Sequence, residues 1–587
     1  MAPRYRFALF AILFPVLLSA QTTPDPKHEF RSFWLTTAGS LDWPRGSTPE
    51  EQQQSLRTII LRAKAMGMNA VIFQIASRGD AYYRSERLPW AATLTGTVGR
   101  DPGWDPLQFA IDLCQANGME LHAWFNVFNI GTATVTEPGA PKHITETNPE
   151  WTVSMDGSRW LDPAYPGARD WVMGNLVELI SKYDIDAIHF DFLRYGGSYP
   201  NDFANWLTYG GSFNSVAEWR RNNVNDIPRR TMAYVLANKP WVKVGSAPIG
   251  HYKSSGGWPA LFGFSNVSQD ARAWMREGIN DYVVPQNYWK IYNGPPYTSS
   301  PEHSWITRDW AGETYGRHLY IGIGAYVEGT VPQIPRMIDT SRVNNVLGQV
   351  YFRWDHIYGY NVQTDITGPL YQYRRPALVP SMSWRSQAAP GAPTIVEANR
   401  VGSTHVLTWV RGSHNDQGDQ LQRFAIYRTS SIETDAAAIV ANGANLIGLA
   451  GGDSFTSTGI NQNTAYTYVV TSLSRNNVES APSNALSVPS ATGVDENEIA
   501  NVYSLSQNFP NPFNPTTMIS FQLPVDGDVN LAVYNALGRR IAVLVDERMS
   551  AGSHSVTFDA SGLSSGVYVY VLMSGNVRLT HTMTLVK

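Results

Sequence analysis

The stretch DIDAIHFDFLRY, from Asp184 to Tyr195, sets Asp186, His189, Asp191 and Arg194 in or just after a run that is otherwise apolar. A carboxylate enclosed in such a run costs roughly several kcal/mol unless it is paired, hydrogen-bonded or protonated. A carboxyl group that keeps its proton near neutral pH can deliver it, so the chemistry on offer is acid–base catalysis. Alternation along the run puts Ala187, His189 and Asp191 on one face and Ile188 and Phe190 on the other.

Such a residue needs a scaffold to aim it. From about residue 30 to 355 the chain alternates short apolar strands with helical stretches, the pattern of parallel β/α units. Eight strands are expected: FRSFWLTT from Phe30, NAVIFQIA from Asn69, MELHAWFN from Met119, DAIHFDF from Asp186, WVKVGSAP from Trp241, DYVVPQNYW from Asp281, LYIGIGAY from Leu319 and GQVYFRWD from Gly348. The helical stretch EEQQQSLRTIILRAKAMG ends at Gly67, a helix stop. Eight repeats predict an α/β fold, a closed (β/α)8 TIM-type barrel. An open doubly wound sheet is the alternative, but no glycine-rich phosphate fingerprint follows the first strand.

Barrels of this kind carry their sites on the loops that follow the strands. Polar residues gather there: Gln74, Asn126, Asp191, Arg194, Gln286, Asn287, Tyr288, Trp289, Glu328 and Asp355. Asp191 is expected at the barrel mouth with His189 one layer below, as an orienting or core histidine. Asp186 starts the strand at the opposite end and reads as a solvated boundary residue. Arg194 suits either an anionic substrate group or an ion pair with a neighbouring loop.

Composition narrows the partners. The chain has 587 residues, too many for one core, so several domains are expected. Lys and Arg total 45 against 49 Asp and Glu, which provides no strong field to gather nucleic acid or anionic lipid. Arg4 and Arg6, the apolar run FALFAILFPVLL and then Ser19 and Ala20 have the order of a secretory signal peptide, residues 1–20. That run is shorter than the roughly 20 residues a membrane span needs, and no later segment is long and apolar enough, so no transmembrane segment is expected after signal cleavage. The single cysteine, Cys114, cannot form an intrachain disulfide and falls in a helical pattern, where it reads as packing. No HExxH, paired-cysteine or EF-hand pattern occurs, so neither a metal nor another cofactor is expected.

EFRSFWLTTAGSLDWP, NPEWTVSMDGSRWLDPAYPGARDWV, DIDAIHFDFLRYGG and VVPQNYW together resemble the glycosyl-hydrolase-like family 10 barrels, over residues 28–380. The resemblance implies a (β/α)8 barrel acting on glycosidic bonds, with some relatives acting on bacterial cell-wall glycans. One position departs from many relatives, which carry a second aspartate directly after the one matching Asp191; here it is Phe192. Glycoside hydrolysis normally takes a carboxylic acid that protonates the leaving oxygen and a second carboxylate, about 5 Å away for retention or roughly 6.5–9.5 Å for inversion. Asp191 supplies the first. Strands five and six end without a carboxylate, which leaves Glu328, Asp355 and, behind them, Asp80 as partners, Glu328 being the first choice. Gln74, Asn126, His189, Arg194, Tyr195, Gln286, Tyr288 and Trp289 are the candidate substrate contacts. Among them Tyr195, Tyr288 and Trp289 follow strand ends, where rings can stack on sugar faces, while Trp34 and Trp124 lie within strands and read as core.

After Pro380 the texture changes. HVLTWV, FAIYRTS and AYTYVVTSLSRNNVESAPSN alternate as short strands and resemble a fibronectin type III module over residues 390–490, with Trp409 in its core, Tyr466 or Tyr468 as a tyrosine corner, and the role of a spacer. SLSQNFPNPFNPTTMISFQLP and the alternating segments behind it resemble the C-terminal sorting domain of type IX secretion, residues 503–587, with a turn from Asn535 to Gly538. Two small all-β sandwich modules are therefore expected behind the barrel. The whole reads as a secreted or surface-attached glycoside hydrolase whose partners are a polysaccharide and the type IX machinery. A glycan-binding barrel without turnover and a surface adhesion protein are the alternatives.

Overall fold

The computed structural model describes residues 25–132, 136–155, 157–197, 202–253, 258, 260–291, 301–358, 373–413, 423–490, 503–535 and 537–586. The expected signal peptide lies outside them. Eight parallel strands carry the first half of the chain: β1 (Phe30–Leu35), β2 (Ala70–Ala76), β3 (Glu120–Asn126), β4 (Ala187–Asp191), β5 (Lys243–Ser246), β6 (Tyr282–Val283 and Gln286–Asn287), β7 (His318–Leu319 and Ile321–Gly324) and β8 (Gly348–Phe352). β6 is divided because Pro285 has no N–H to give the ladder. Pairing nevertheless continues, with Tyr320 N–H donating to Val283 O at 3.0 Å and Gly322 N–H to Pro285 O at 3.0 Å. β8 pairs with both β7 and β1, and β6 with both β5 and β7, so the sheet closes into the expected barrel.

Both faces of every strand are covered, which is why the strands read as near-continuous apolar runs. Outside, Phe33, Val71, Leu121, Ile188, Phe190 and Val244 pack against the helix layer. Inside, Phe30, Trp34, Ile72, Trp124, Ala187 and Tyr282 form a second cluster. The alternation read on β4 therefore holds, and Ala187, His189 and Asp191 face the barrel axis. The helix after β1, Pro49–Ala65, starts at a capping box between Thr48 and Glu51, a device that contributes about 1 kcal/mol. It stops where Gly67 takes φ +83°, in the left-handed region expected of a helix end.

One element lies outside the strand-and-helix rhythm. A three-stranded antiparallel sheet of Asn129–Gly131, Thr152–Met155 and Ser158–Leu161 follows β3, tied to the barrel by Leu161 N–H to Phe128 O at 2.8 Å. TVSM and SRWL alternate on either side of a tight turn at Gly157 (φ +73°), a hairpin pattern legible in the sequence.

Residues up to Val488 form one compact unit, and Pro489–Lys587 form a second. Within the first, a seven-stranded sandwich follows the barrel: a sheet of Thr394–Val401, Thr404–Val410 and Ser454–Ser457, and a sheet of Leu446–Ala450, Arg423–Thr429, Tyr466–Leu473 and Leu486–Val488. Trp409 is in its core, and Tyr466 Oη accepts the Asn461 N–H at 3.1 Å, the bond a tyrosine corner makes. The module is docked rather than spaced away, which corrects the spacer expectation. Leu378, just before it, is buried among Tyr427, Ile439 and Val469, and Lys27 Nζ meets Glu479 at 2.7 Å. Asp186 is corrected by the same docking. It is 2 % exposed rather than solvated, because Arg423 of the module pairs with it.

The second unit is a sandwich of a three-stranded and a four-stranded sheet. Its turn closes as read, with Gly538 N–H donating to Asn535 O at 2.9 Å. No helix among the described residues is long and apolar enough to cross a membrane. Cys114 is buried in the outer core.

Candidate active site

Asp191 ends β4 at the C-terminal mouth and is 9 % exposed. Its Oδ1 accepts two hydrogen bonds, from the Phe192 N–H at 2.7 Å and from Gln286 Nε2 at 3.1 Å. Its Oδ2 has no hydrogen-bond partner among the described residues. Burial pushes the carboxyl up to about 6, against the opposing pull of the Phe192 N–H, the Arg194 charge and the Gln286 amide. No second carboxylate among the described residues contributes to that balance. The strand ends abruptly here because Phe192 takes φ +50°, a left-handed backbone that a bulky residue adopts only under constraint. The Phe192 ring is held edge-on by Trp160 of the inserted sheet, centroids 5.5 Å apart.

Gln286 is fixed by a second bond, to Ala247 O at 3.2 Å. Tyr288, two residues on, is half-buried, and burial together with the Asp191 charge holds its phenol well above the usual range. It stacks on Phe352 at 5.5 Å and meets Tyr326 edge-on at 5.7 Å, and Trp34 stands edge-on beneath it at 6.3 Å. Arg194 lies over the rings of Trp160 and Phe192, each 5.1 Å from its guanidinium, and donates to Tyr195 O at 3.1 Å. A buried carboxyl with one open oxygen thus shares the mouth with an amide, a guanidinium and a wall of aromatic rings. That arrangement can bind a neutral polyol through ring faces and give it a proton.

The other expected residues divide by position. Trp289 is half-buried and packs against the outer cluster beside Gly250, on the opposite face from Tyr288, so the platform expectation fails for it. Tyr195 is fully buried in the outer core with its hydroxyl near Asn223, so the platform expectation fails for it as well: the strand ends at Asp191 and the chain turns at Phe192, which sends the Tyr195 side chain away from the axis although alternation would have kept it on the Asp191 face. Gln74 and Asn126 spend their amides on structure. Gln74 Oε1 accepts the N–H groups of Thr37 and Ala38 at 2.9 Å each, and Asn126 bridges Trp124 Nε1 at 3.0 Å and Ser77 O at 2.8 Å. His189 is fully buried, with both ring nitrogens engaged by Trp34 and Tyr282, so the substrate-contact expectation fails for it.

Among the carboxylates, Asp355 is held by Arg45 at 2.8 Å and Arg353 at 3.1 Å, on the wall of a cleft of about 1050 Å³ that Asp42, Glu50 and Glu51 also line and Asp191 does not. Asp80 caps its own turn, accepting the Arg78 N–H at 2.9 Å and the Ser77 hydroxyl at 3.1 Å. Glu328 is exposed on the turn after β7, with no side-chain hydrogen bond or ion pair among the described residues. Sequence reading missed Trp160, Tyr326 and Phe352. It also missed Asp162, a buried carboxyl raised to about 6 by burial, whose charged neighbours are Asp202, Arg220 and Arg169 rather than Asp191. Among the described residues no group of three or more His, Cys, Asp or Glu is placed to hold a metal ion.

Comparison with known proteins gives two family matches: "Glycosyl hydrolase-like 10" over residues 29–333 and "Secretion system C-terminal sorting domain" over residues 507–586. "Glycosyl hydrolase YngK" of Bacillus subtilis (strain 168) is 31% identical over 450 residues, which cover 71% of this chain and 86% of that protein. "Glycosyl hydrolase DigH" of Escherichia coli (strain K12) is 30% identical over 381 residues, 57% of this chain and 85% of its own. Among solved structures, the PgaB (BpsB) glycoside hydrolase domain from Bordetella bronchiseptica aligns with a TM-score of 0.40 at 14% identity, covering 58% of this chain and 98% of that one. The sorting-domain match places the chain among secreted or cell-surface-attached proteins.

Proposed function

This chain belongs to the glycosyl hydrolase-like 10 family, and from that premise we propose that its barrel hydrolyses O-glycosidic bonds of a polysaccharide with Asp191 as the general acid. One observation carries the reading: Asp191 has a raised pKa of about 6, one oxygen held by Phe192 and Gln286, and the other uncommitted at an aromatic-lined mouth. A glycosidic oxygen that reaches Oδ2 receives the proton, and the resulting carboxylate is stabilised by the same two donors and by Arg194. Tyr288 and the rings around it offer apolar faces for the sugars beside the bond.

The second carboxylate is Glu328 in this reading. Asp355 and Asp80 are engaged by arginines and by a turn, whereas Glu328 is uncommitted. Bacterial cell-wall glycan is the substrate the family relationship favours. The module behind the barrel is read as fibronectin type III-like, on its three-plus-four strands and the Tyr466 corner.

The test is reducing-end release from a glycan panel that includes peptide-stripped peptidoglycan, using the full mature chain, Asp191→Asn and Glu328→Gln. Turnover in the parent that both substitutions abolish supports the hydrolase and its pair. Loss in Asp191→Asn alone moves the partner role to Asp355 or Asp80. Glycan binding without turnover in all three proteins would make this a binding barrel and end the hydrolase reading.

A further inference from the structure

Down the barrel axis, below Asp191, runs an unbroken line of buried polar groups. Trp34 Nε1 lies 3.0 Å from His189 Nε2, His189 Nδ1 lies 3.1 Å from Tyr282 Oη, Tyr282 Oη lies 2.7 Å from His122 Nδ1, and His122 Nε2 lies 2.8 Å from Glu120 Oε2. Glu120 Oε1 accepts from Lys243 Nζ at 2.8 Å, and from two residues of the following module, Asn477 Nδ2 at 2.9 Å and Arg423 Nη1 at 3.4 Å. All five members of the line are at most 1 % exposed, so water does not substitute for any of these bonds.

The direction of every bond follows from one end. An indole N–H can only donate, so His189 Nε2 accepts and the His189 proton sits on Nδ1. Tyr282 accepts that proton's bond, and its own single proton goes to His122 Nδ1. His122 then carries its proton on Nε2 and donates it to Glu120. Burial drives both histidines below their ordinary range, which keeps them neutral and the tautomers single. All four bonds therefore point toward one carboxylate, which Asn477 and Arg423 hold at the barrel floor.

We propose that Glu120 is a positioning residue for the reaction at Asp191: anchored by Arg423 and Asn477 of the sandwich module that directly follows the barrel, it fixes the tautomers of His122 and His189 and thereby the ring of Trp34 on which the catalytic mouth is built. The link upward is contact, since Trp34 stands edge-on to Tyr288 and to Phe352, the two stacked rings beside Asp191. The module is on this account a working floor of the enzyme. The proposal rests on the assignment of the reaction to Asp191.

Glu120→Gln tests it with almost no change in shape. Lys243, Asn477 and Arg423 hold the amide oxygen, so the NH₂ faces His122 and the line reverses until His189 presents an N–H to the indole N–H of Trp34. The experiment uses the full chain labelled with ¹⁵N-histidine and ¹⁵N-tryptophan, and turnover of peptide-stripped peptidoglycan as the kinetic readout. The parent should show His189 protonated on Nδ1 and His122 on Nε2. Glu120→Gln should invert both, shift the Trp34 indole resonance and lower kcat at least tenfold with KM within twofold. Tyr282→Phe, which leaves the floor charges untouched, should shift the same indole resonance and lower kcat similarly, and it serves where Glu120→Gln does not fold. A parent His189 protonated on Nε2 overturns the proposal, as does a Tyr282→Phe chain with unchanged kcat and indole resonance. A parent without turnover overturns the hydrolase reading instead, while tautomer inversion in Glu120→Gln would still establish the relay.

Discussion

Gln286, at the end of β6, reaches past β5 to donate its amide to Asp191 Oδ1, at the end of β4, across 3.1 Å. That bond and the Phe192 N–H occupy one oxygen and orient the other toward the mouth. Burial raises the pKa of this carboxyl and the Gln286 bond pulls it down, so enclosure and this bond together set the pH range in which the acid form exists.

Asp191→Asn should lower kcat by about 100-fold or more while glycan binding is kept, because a positioned general acid contributes about 10²–10⁴-fold. The same substitution should stabilise the protein at pH 7.5. The folded pKa of about 6 lies above the unfolded value of 3.8, so the folded state binds more protons between those values, and stability is lost as pH rises through them. Asparagine cannot ionise and escapes that loss, which is at most about 3 kcal/mol from about two pKa units. Thermal melts should show the variant above the parent at pH 7.5, with the gap closing below about pH 4.

Turnover by the parent should fall as pH rises above about 6, as the acid loses its proton. In Gln286→Met the amide that favours the ionised form is gone, and this alkaline limb should move up by about one unit. A pH profile of kcat in the two proteins checks this, and a limb that stays fixed removes Gln286 from control of Asp191.

Glu328→Gln should abolish turnover, whereas Asp80→Asn should leave kcat within about threefold and act on stability by about 1 kcal/mol through its turn. Steady-state kinetics with thermal melts on both variants separates the two roles.

Arg423→Met should destabilise the unit that holds the barrel by about 3–5 kcal/mol, because Asp186 remains buried after losing its ion-pair partner while Glu120 keeps Lys243. Urea titration followed by tryptophan fluorescence measures it. A change below about 1 kcal/mol would mean that the module only rests against the barrel.

Much of this arrangement was legible in the residues. Eight apolar runs at β/α spacing specify the barrel because each strand is buried on both faces, and strict alternation on β4 sends Asp191 and His189 inward whatever the neighbouring strands do. Gly67 and the Thr48–Glu51 box mark helix ends through local backbone chemistry alone. Tyr195 was misplaced because the chain turns at Phe192, and a left-handed φ on a phenylalanine leaves no signal in composition. Trp160 was missed because its hairpin interrupts the β/α rhythm, although its alternation and turn were visible.

The sequence by itself determined which residues face the barrel axis and which end of each strand carries polar groups, since both follow from side-chain periodicity within single segments. Only the tertiary structure decided what those groups meet. Asp191 and Gln286 are 95 residues apart, and Glu120 and Asn477 are 357 apart. No local preference encodes such pairs; closure of the sheet and docking of the module that directly follows the barrel bring them together, and the low-dielectric interior so formed gives Asp191 its raised pKa and Glu120 its fixed line of hydrogen bonds.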